Sequence, residues 1–175
     1  MKIILPFLLA GASLVLTATA STAATSTVDA RLSCSLPNFQ QEMLSRVNQA
    51  RAAGRTCGTT YYSPAPALRW NGNLLTAAGA HSTDMAANNY FSHTSLDRRN
   101  AGQRITGAGY AWRAYVENIA AGQTSVQAVV NGWLSSPGHC ANIMKSTFVD
   151  IGVACVASRT SAYRTYWTMD LARPY

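Results

Sequence analysis

The hydrophobic pattern of this chain changes period along its length, and that change limits the folds that the chain can adopt. Through most of the chain, apolar residues recur every three or four positions, which is typical of amphipathic helices. The last third contains two segments rich in valine, tyrosine and tryptophan, FVDIGVACVAS and AYRTYWTMDLA, which predict strands. About ten residues join their centres, so we expect an antiparallel pair. Helices followed by strands predict an α+β fold.

Four helices and one further strand are predicted before the last third. The first helix starts near Ser35 and ends at Gly54, and the second starts near Asn71. A third, shorter helix covers DRRNAGQRITGAG, and AWRAYVENIAAG follows it as a strand. The fourth helix starts at Thr124, which forms a capping box with Gln127, and SSPGH ends it. The segment RTCGTTYYSPAPALRW is expected to be a loop.

The first 24 residues have the pattern of a secretory signal peptide. Lys2 precedes an apolar run from Ile3 to Leu16, and the small residues TATASTAA follow, with cleavage after Ala20 or Ala24. The run is too short to span a bilayer comfortably, and no second apolar segment follows it. We therefore expect a signal peptide at 1–24, a flexible leader at 25–33 and one domain at 34–175. The mature protein would be secreted or periplasmic, with no transmembrane segment.

Four cysteines remain in the mature chain: Cys34, Cys57, Cys140 and Cys155. An even number in an exported chain predicts two disulfides, for which three connectivities exist, and no CxxC pair suggests a zinc or redox site. Cys34 and Cys57 flank the first helix, whereas Cys140 follows the fourth helix and Cys155 lies in the next strand. These positions lead us to predict the pairs Cys34–Cys57 and Cys140–Cys155.

The chain is basic, and nearly all of its positive charge comes from arginine. Loss of Lys2 with the signal lowers the formal net charge from +7 by one, to +6. The arginines are scattered, without the basic and aromatic stripe of nucleic-acid-binding proteins, so we exclude nucleic acid as a partner. Anionic envelope polymers and lipid headgroups remain suitable partners for such a surface.

Three histidines and one glutamate are the candidate functional residues. His93 and His139 are each expected in a loop just after a helix, and Glu117 lies at the end of a strand. Two imidazoles and one carboxylate suit a metal site with an open position, or an acid–base pair. Alternatively, each histidine is a hydrogen-bonded loop residue, and spacing alone does not decide between these interpretations. His81 lies on the apolar face of the second helix, which favours a core role with satisfied hydrogen bonds.

Five blocks of sequence occur in order between about Ser35 and Tyr175: LRWNGNLLTAAGAHSTDMAANNYFSHTS, AGY…ENIAAGQ, VVNGWLSSPGHCANIM, FVDIGVAC and YWTMDLA. Together they resemble the CAP superfamily (cysteine-rich secretory, antigen 5 and pathogenesis-related proteins), and especially its short bacterial members with a single SCP domain. The resemblance implies a three-layer α-β-α sandwich with a small antiparallel sheet and a cleft. It places His93, Glu117 and His139 in that cleft, with His81 at most peripheral.

The family cleft usually holds a second glutamate, and Ser136 stands at about that position here. The resemblance therefore implies no firm cofactor and only a weak zinc site at His93 and His139. It favours a secreted, non-enzymatic binding module for a lipid, a peptide or a cell-envelope component, because no activated nucleophile is evident. The alternatives are a hydrolase that uses His93, Glu117 and His139, with or without zinc, and a structural envelope protein held by its basic charge.

Overall fold

A four-stranded sheet lies between two layers of helices. The computed structural model describes Met1 and residues 28–175. The helices are α1 (Phe39–Ala53), α2 (Gly72–Asn88), α3 (Ala101–Gly107), α4 (Val126–Ser135) and α5 (Pro137–Met144). The strands are β1 (Arg55–Cys57), β2 (Thr60–Tyr62), β3 (Arg69–Trp70), β4 (Trp112–Ala121), β5 (Asp150–Ala157) and β6 (Thr165–Pro174). β1 and β2 form a separate hairpin, and the main sheet has the order β3-β5-β6-β4.

The strand pairing confirms the α+β class and the sandwich. β6 is antiparallel to both β5 and β4, as expected for the two strands at the end of the chain. β3 lies in the segment predicted to be a loop, and it pairs in parallel with β5 through Arg69 and Trp70. A parallel pair needs a long crossover, and the helices between β3 and β5 supply one.

The two faces of the sheet differ because the side chains of a strand alternate. One face packs α1, α4 and α5 over the main apolar cluster, which includes Ile151, Val153, Trp167, Met169 and Leu171. The other face carries small and polar residues against α2 and α3, among them Gly152, Thr168, Asp170 and Glu117. Trp133 of α4 is 1% exposed, as expected for a core residue on the apolar face.

Two helix boundaries near the end of β4 differ from the sequence prediction. The cap of α4 is Ser125 rather than Thr124, since the Ser125 hydroxyl accepts a hydrogen bond from the amide of Ala128. SSPGH ends α4 at Ser135 as predicted, but Pro137 then starts α5, a helix that was not predicted, since proline suits the first turn of a helix. His139 therefore lies in the first turn of α5 and not in a helix-exit loop.

Both predicted disulfide pairings are wrong. The structure pairs Cys34 with Cys155 and Cys57 with Cys140. α1, a helix of 15 residues and about 22 Å, stands between Cys34 and Cys57 in the chain. Instead, the amide of Cys34 donates to the carbonyl of Cys155 in β5, and Cys57 lies beside α5.

The signal peptide predicted at 1–24 and the start of the leader lie outside the described residues. Leader residues Ala30–Leu32 form a short 3-10 turn, and Ser33 makes a parallel bridge to Cys155. The leader therefore contacts the domain before Cys34. Within the described part of the chain, no helix has the length and apolar character needed to cross a membrane.

Peptide mapping under non-reducing conditions tests the disulfide connectivity. We expect linked peptides that join Cys34 to Cys155 and Cys57 to Cys140. Removal of the second pair by Cys57→Ser/Cys140→Ser should lower the free energy of unfolding by about 4 kcal/mol, because the pair closes a long loop. Recovery of a Cys34–Cys57 peptide from the native protein would contradict this connectivity.

Gly152 sets the distance between α2 and the sheet. A Cβ atom at this position would lie 2.2 Å from the backbone nitrogen of Leu75 and 2.3 Å from the carbonyl carbon of Leu74. Gly152→Ala should therefore push α2 off the sheet and destabilise the protein by about 1–3 kcal/mol or more, measured by chemical denaturation. The control Gly72→Ala meets nothing within 4 Å, so equal losses in the two variants would refute the explanation.

Candidate functional site

Glu117 occupies the middle of β4 and points to the polar face of the sheet. Its side chain is only 3% exposed, and its cross-strand neighbour in β6 is Asp170, another buried acid. Burying a carboxylate is costly unless charged or hydrogen-bonding partners compensate for the lost water. The partners of Glu117 therefore determine what this region can do.

Each carboxylate oxygen of Glu117 has one strong partner. Arg104 in α3 donates from Nη2 to Oε2 at 2.6 Å, and Nδ1 of His93 donates to Oε1 at 2.7 Å. The Arg104 side chain is 2% exposed, whereas that of His93 is 57% exposed. Charge-assisted bonds of this kind are among the strongest in proteins. Both oxygens are thus engaged inside the protein, and only the imidazole reaches solvent.

Arg104 also holds the loop that carries His93. Its guanidinium donates to the hydroxyl of Ser95 at 3.0 Å and to the carbonyls of Arg99 and His93 at 2.9 and 3.1 Å. A capping box between Asn100 and Gln103 starts α3 just before this residue. Arg104 was not among the predicted functional residues, because the arginines are scattered along the sequence and no motif distinguishes one of them. The only signal was indirect, since a buried glutamate requires a cation from somewhere in the chain.

The pKa values of the neighbouring acids Glu117 and Asp170 are shifted in opposite directions. Burial by itself raises the pKa of Glu117, but the His93 hydrogen bond and the Arg104 charge outweigh it and lower the pKa below its usual value. Burial raises the pKa of Asp170 well above its usual value, and the nearby Glu117 charge adds to this effect. Of the two acids, Glu117 is therefore the one that favours the charge, and Asp170 the one that favours the proton.

His139 approaches the same region from α5. Asn118, the residue after Glu117, faces the opposite side of the sheet and donates from Nδ2 to the carbonyl of His139 at 3.1 Å. Asn142 in turn donates to Oδ1 of Asn118 at 2.8 Å, so two hydrogen bonds fix the start of α5 on β4. Partial burial lowers the pKa of His139, and the charge of His93 lowers it further. In the described part of the chain, no hydrogen bond or ion pair joins His139 to His93 or Glu117.

His81 is confirmed as a buried residue with satisfied hydrogen bonds. It is fully buried, and its Nε2 donates to the carbonyl of Ser92 at 2.8 Å, which fixes the tautomer because a carbonyl only accepts. Nδ1 then accepts from the hydroxyl of Ser95 at 3.3 Å. Since Ser95 also binds Arg104, His81 supports the loop from behind and does not reach solvent.

A groove of about 350 Å³ lies beside His139, between the end of β4 and α4. We call it the β4–α4 groove. Ser136, the position of the expected second glutamate, lies in its wall next to His139. The residues that line it are Phe91, Ile119, Ala120, Ala121, Gln123, Val129, Gly132, Trp133, Ser136, His139 and Tyr163. The lining is thus mostly apolar and aromatic, and it includes no acidic side chain.

The predicted cluster of His93, Glu117 and His139 does not fit a catalytic zinc site. Such sites usually have three protein ligands and an open position. Within residues 28–175 no group of three or more histidine, cysteine, aspartate or glutamate side chains could hold a metal ion. Glu117 is unsuitable because His93 and Arg104 occupy its two oxygens. Weak zinc binding by His93 and His139 alone stays a prediction.

The α-β-α sandwich is the fold of CAP, or SCP, domains. The sequence comparison agrees, because the model of the cysteine-rich secretory protein family matches residues 44–171. This chain belongs to that family.

Similar proteins include an uncharacterised Bacillus subtilis protein, YkwD, which is 36% identical over 91 residues, 52% of this chain and 35% of that protein. An extracellular SCP-domain protein from Bacillus anthracis is 33% identical, with a TM-score of 0.55 over 62% of this chain and 34% of the other. An outer surface protein of Borrelia burgdorferi shares the fold, with 19% identity and a TM-score of 0.65 over 78% and 95% of the two chains. The chain thus spans about a third of its Bacillus relatives.

Removal of the Arg104 guanidinium should reveal how strongly the buried Glu117 carboxylate depends on it. Arg104→Met leaves a buried carboxylate without its counter-charge, so we expect a loss of about 3–5 kcal/mol in chemical denaturation. Arg104→Met/Glu117→Gln should lose less than the two single variants together. The control Arg46→Met breaks the partly exposed pair with Glu42 and should cost less than about 1 kcal/mol. Additive losses in the double variant would contradict a direct pair.

His81 should make stability depend on pH. Burial lowers its pKa below the usual 6.5, so the unfolded chain takes up a proton before the folded protein does. The stability that neutral His81 contributes is therefore complete above pH 6.5 and declines as the pH falls below it. The free energy of unfolding should decrease from pH 7 to pH 5, and less so in His81→Gln. An unchanged slope in that variant would show that other groups cause the effect.

Proposed function

We propose that this chain is an exported, non-enzymatic binding module whose ligand occupies the β4–α4 groove. The observation that carries the proposal is the groove itself, which combines an apolar and aromatic lining with a few polar groups. Its volume of about 350 Å³ lies in the range of small-ligand sites. Two disulfides and an extracellular Bacillus anthracis relative support export.

The ligand should present an apolar group to the groove. Trp133 and Val129 form a buried apolar wall, and the rim carries Phe91 and Tyr163, which are 45% and 49% exposed with ring centroids 6.0 Å apart. Exposed aromatic residues beside a cavity commonly mark binding sites. A lipid, a peptide or another cell-envelope component with such a group meets this requirement. The basic surface would favour an anionic ligand.

The state of Glu117 argues against a hydrolase. A general base works best with a pKa near the working pH, whereas the bonds to His93 and Arg104 keep the Glu117 pKa low. A base must also face the proton that it removes, and both carboxylate oxygens of Glu117 face inward to partners. All four cysteines are in disulfides and offer no thiolate nucleophile.

Filling the groove should abolish binding without disturbing the fold. Gly132 lines the groove, and a Cβ atom there would meet nothing within 4 Å, so we expect Gly132→Phe to fit and its ring to fill part of the cavity. We expect at least about tenfold weaker binding of palmitate or anilinonaphthalene sulfonate, measured by fluorescence or native mass spectrometry. Asn131→Phe adds the same ring to the same helix outside the groove and should bind normally.

Two results would contradict this proposal. If Gly132→Phe binds the probes as well as the parent, the ligand site lies elsewhere. If the purified protein hydrolyses ester or peptide substrates and His93→Ala removes that activity, the hydrolase interpretation is correct instead.

A further inference from the structure

β4 is the outer strand of the main sheet, and one of its edges is free. Among the residues that the structure describes, β6 is its only partner in the sheet. Just beyond β4, the amide of Gly122 donates to the carbonyl of Thr165 at 3.0 Å, on the side of β6. Residues that bond to a neighbour alternate along a strand, so the backbone groups of Ile119 and Ala121 point away from β6. The carbonyl of Ile119 does so, because it accepts from the Trp133 indole at 3.2 Å.

The free edge still has unused hydrogen-bonding groups. Within residues 28–175, the amide of Ile119 and the amide and carbonyl of Ala121 have no backbone or side-chain partner. A row of such groups is a template for pairing with another extended chain. A small apolar ligand would leave them without partners.

The β4–α4 groove runs along this same edge. Ile119, Ala120 and Ala121 all line it, although consecutive residues of a strand point to opposite faces of the sheet. A cavity that contacts all three must therefore lie beside the strand and not above one face. The free backbone groups and the apolar cavity thus belong to one surface.

We infer, resting on the proposed function, that the groove binds an extended peptide, which adds to the sheet as a strand next to β4. The side chains of such a peptide alternate between the two faces of the sheet. On one face they would meet Val129 and Trp133 of α4, and on the other the pair Phe91 and Tyr163. Both walls are apolar, so apolar residues at these positions suit the groove.

Charge indicates that the peptide is acidic. No carboxylate lines the groove, and the turn that supplies Tyr163 also carries Arg159 and Arg164, which are exposed. Neither arginine forms an ion pair in the part of the chain that the structure describes. A second copy of this basic chain, with a formal net charge of +7, would instead bring like charges together. The complementary partner is an apolar peptide flanked by aspartate or glutamate.

Alternating N-methylation tests the inference. The probes are fluorescent five-residue peptides with glutamate at both ends and apolar or threonine residues between them, such as acetyl-Glu-Val-Thr-Val-Glu-amide. In an added strand, only alternate amides face β4. N-methylation of the amides that face β4 should weaken binding at least about tenfold. N-methylation of the amides that point away from β4 should have little effect. A matched peptide with lysine at both ends should bind more weakly than the acidic one.

Hydrogen exchange supplies an independent measurement. The amides of Ile119 and Ala121 should exchange quickly in the free protein and slow down with the acidic peptide. Equal binding of both N-methylated series, unchanged exchange at these two amides, or failure of every peptide in the panel would overturn the inference. Slow exchange without peptide that depends on protein concentration would also overturn it, since a second copy would then occupy the edge.

The groove variant separates this inference from the proposed function. If Gly132→Phe blocks palmitate but the peptides never protect Ile119 and Ala121, the binding module stands and the added strand does not. If Gly132→Phe affects neither probe, the proposed function itself fails. Asn131→Phe should bind palmitate and the peptide as the parent does.

Discussion

The buried ion pair between Glu117 and Arg104 is the interaction on which the polar half of this protein depends. A buried carboxylate on the sheet, next to the buried Asp170, would be too costly without a counter-charge. Arg104 supplies that charge, and its other bonds hold the loop of His93 against α2 and α3. The same guanidinium therefore compensates the acid and positions the imidazole. This arrangement also explains why one face of the sheet is polar although it is covered by helices.

The ion pair has a consequence for function. Because both oxygens of Glu117 are held, its carboxylate is not free to accept a proton or bind a metal. The β4–α4 groove offers another surface, with its apolar lining and the free edge of β4. Family membership is consistent with either chemistry or binding, since a fold hosts many functions. Here the contacts of Glu117 favour binding.

The local sequence patterns, such as helix caps and strand periodicity, predicted much of the fold and part of the site. The start of α2 at Asn71 and the antiparallel pairing of β5 and β6 were correct, because capping and strand period act over a few residues. SSPGH ended the fourth helix as predicted, but α5 was missed, since proline can also start a helix and Pro137 does. β3 was missed because two residues are too few to show a period, and only the neighbouring β5 makes them a strand.

The sequence by itself determined the family, the α+β class and the number of disulfides, because these follow from composition and ordered motifs. The same motifs marked His93, Glu117 and His139 as candidate functional residues. Only the tertiary structure decided which cysteines pair, since the Cys34–Cys155 disulfide joins residues that are 121 positions apart in the chain. It also decided that Arg104, one arginine among many, is the partner of Glu117. Contacts between distant residues depend on how the helices pack on the sheet, and no spacing along the chain encodes that packing directly.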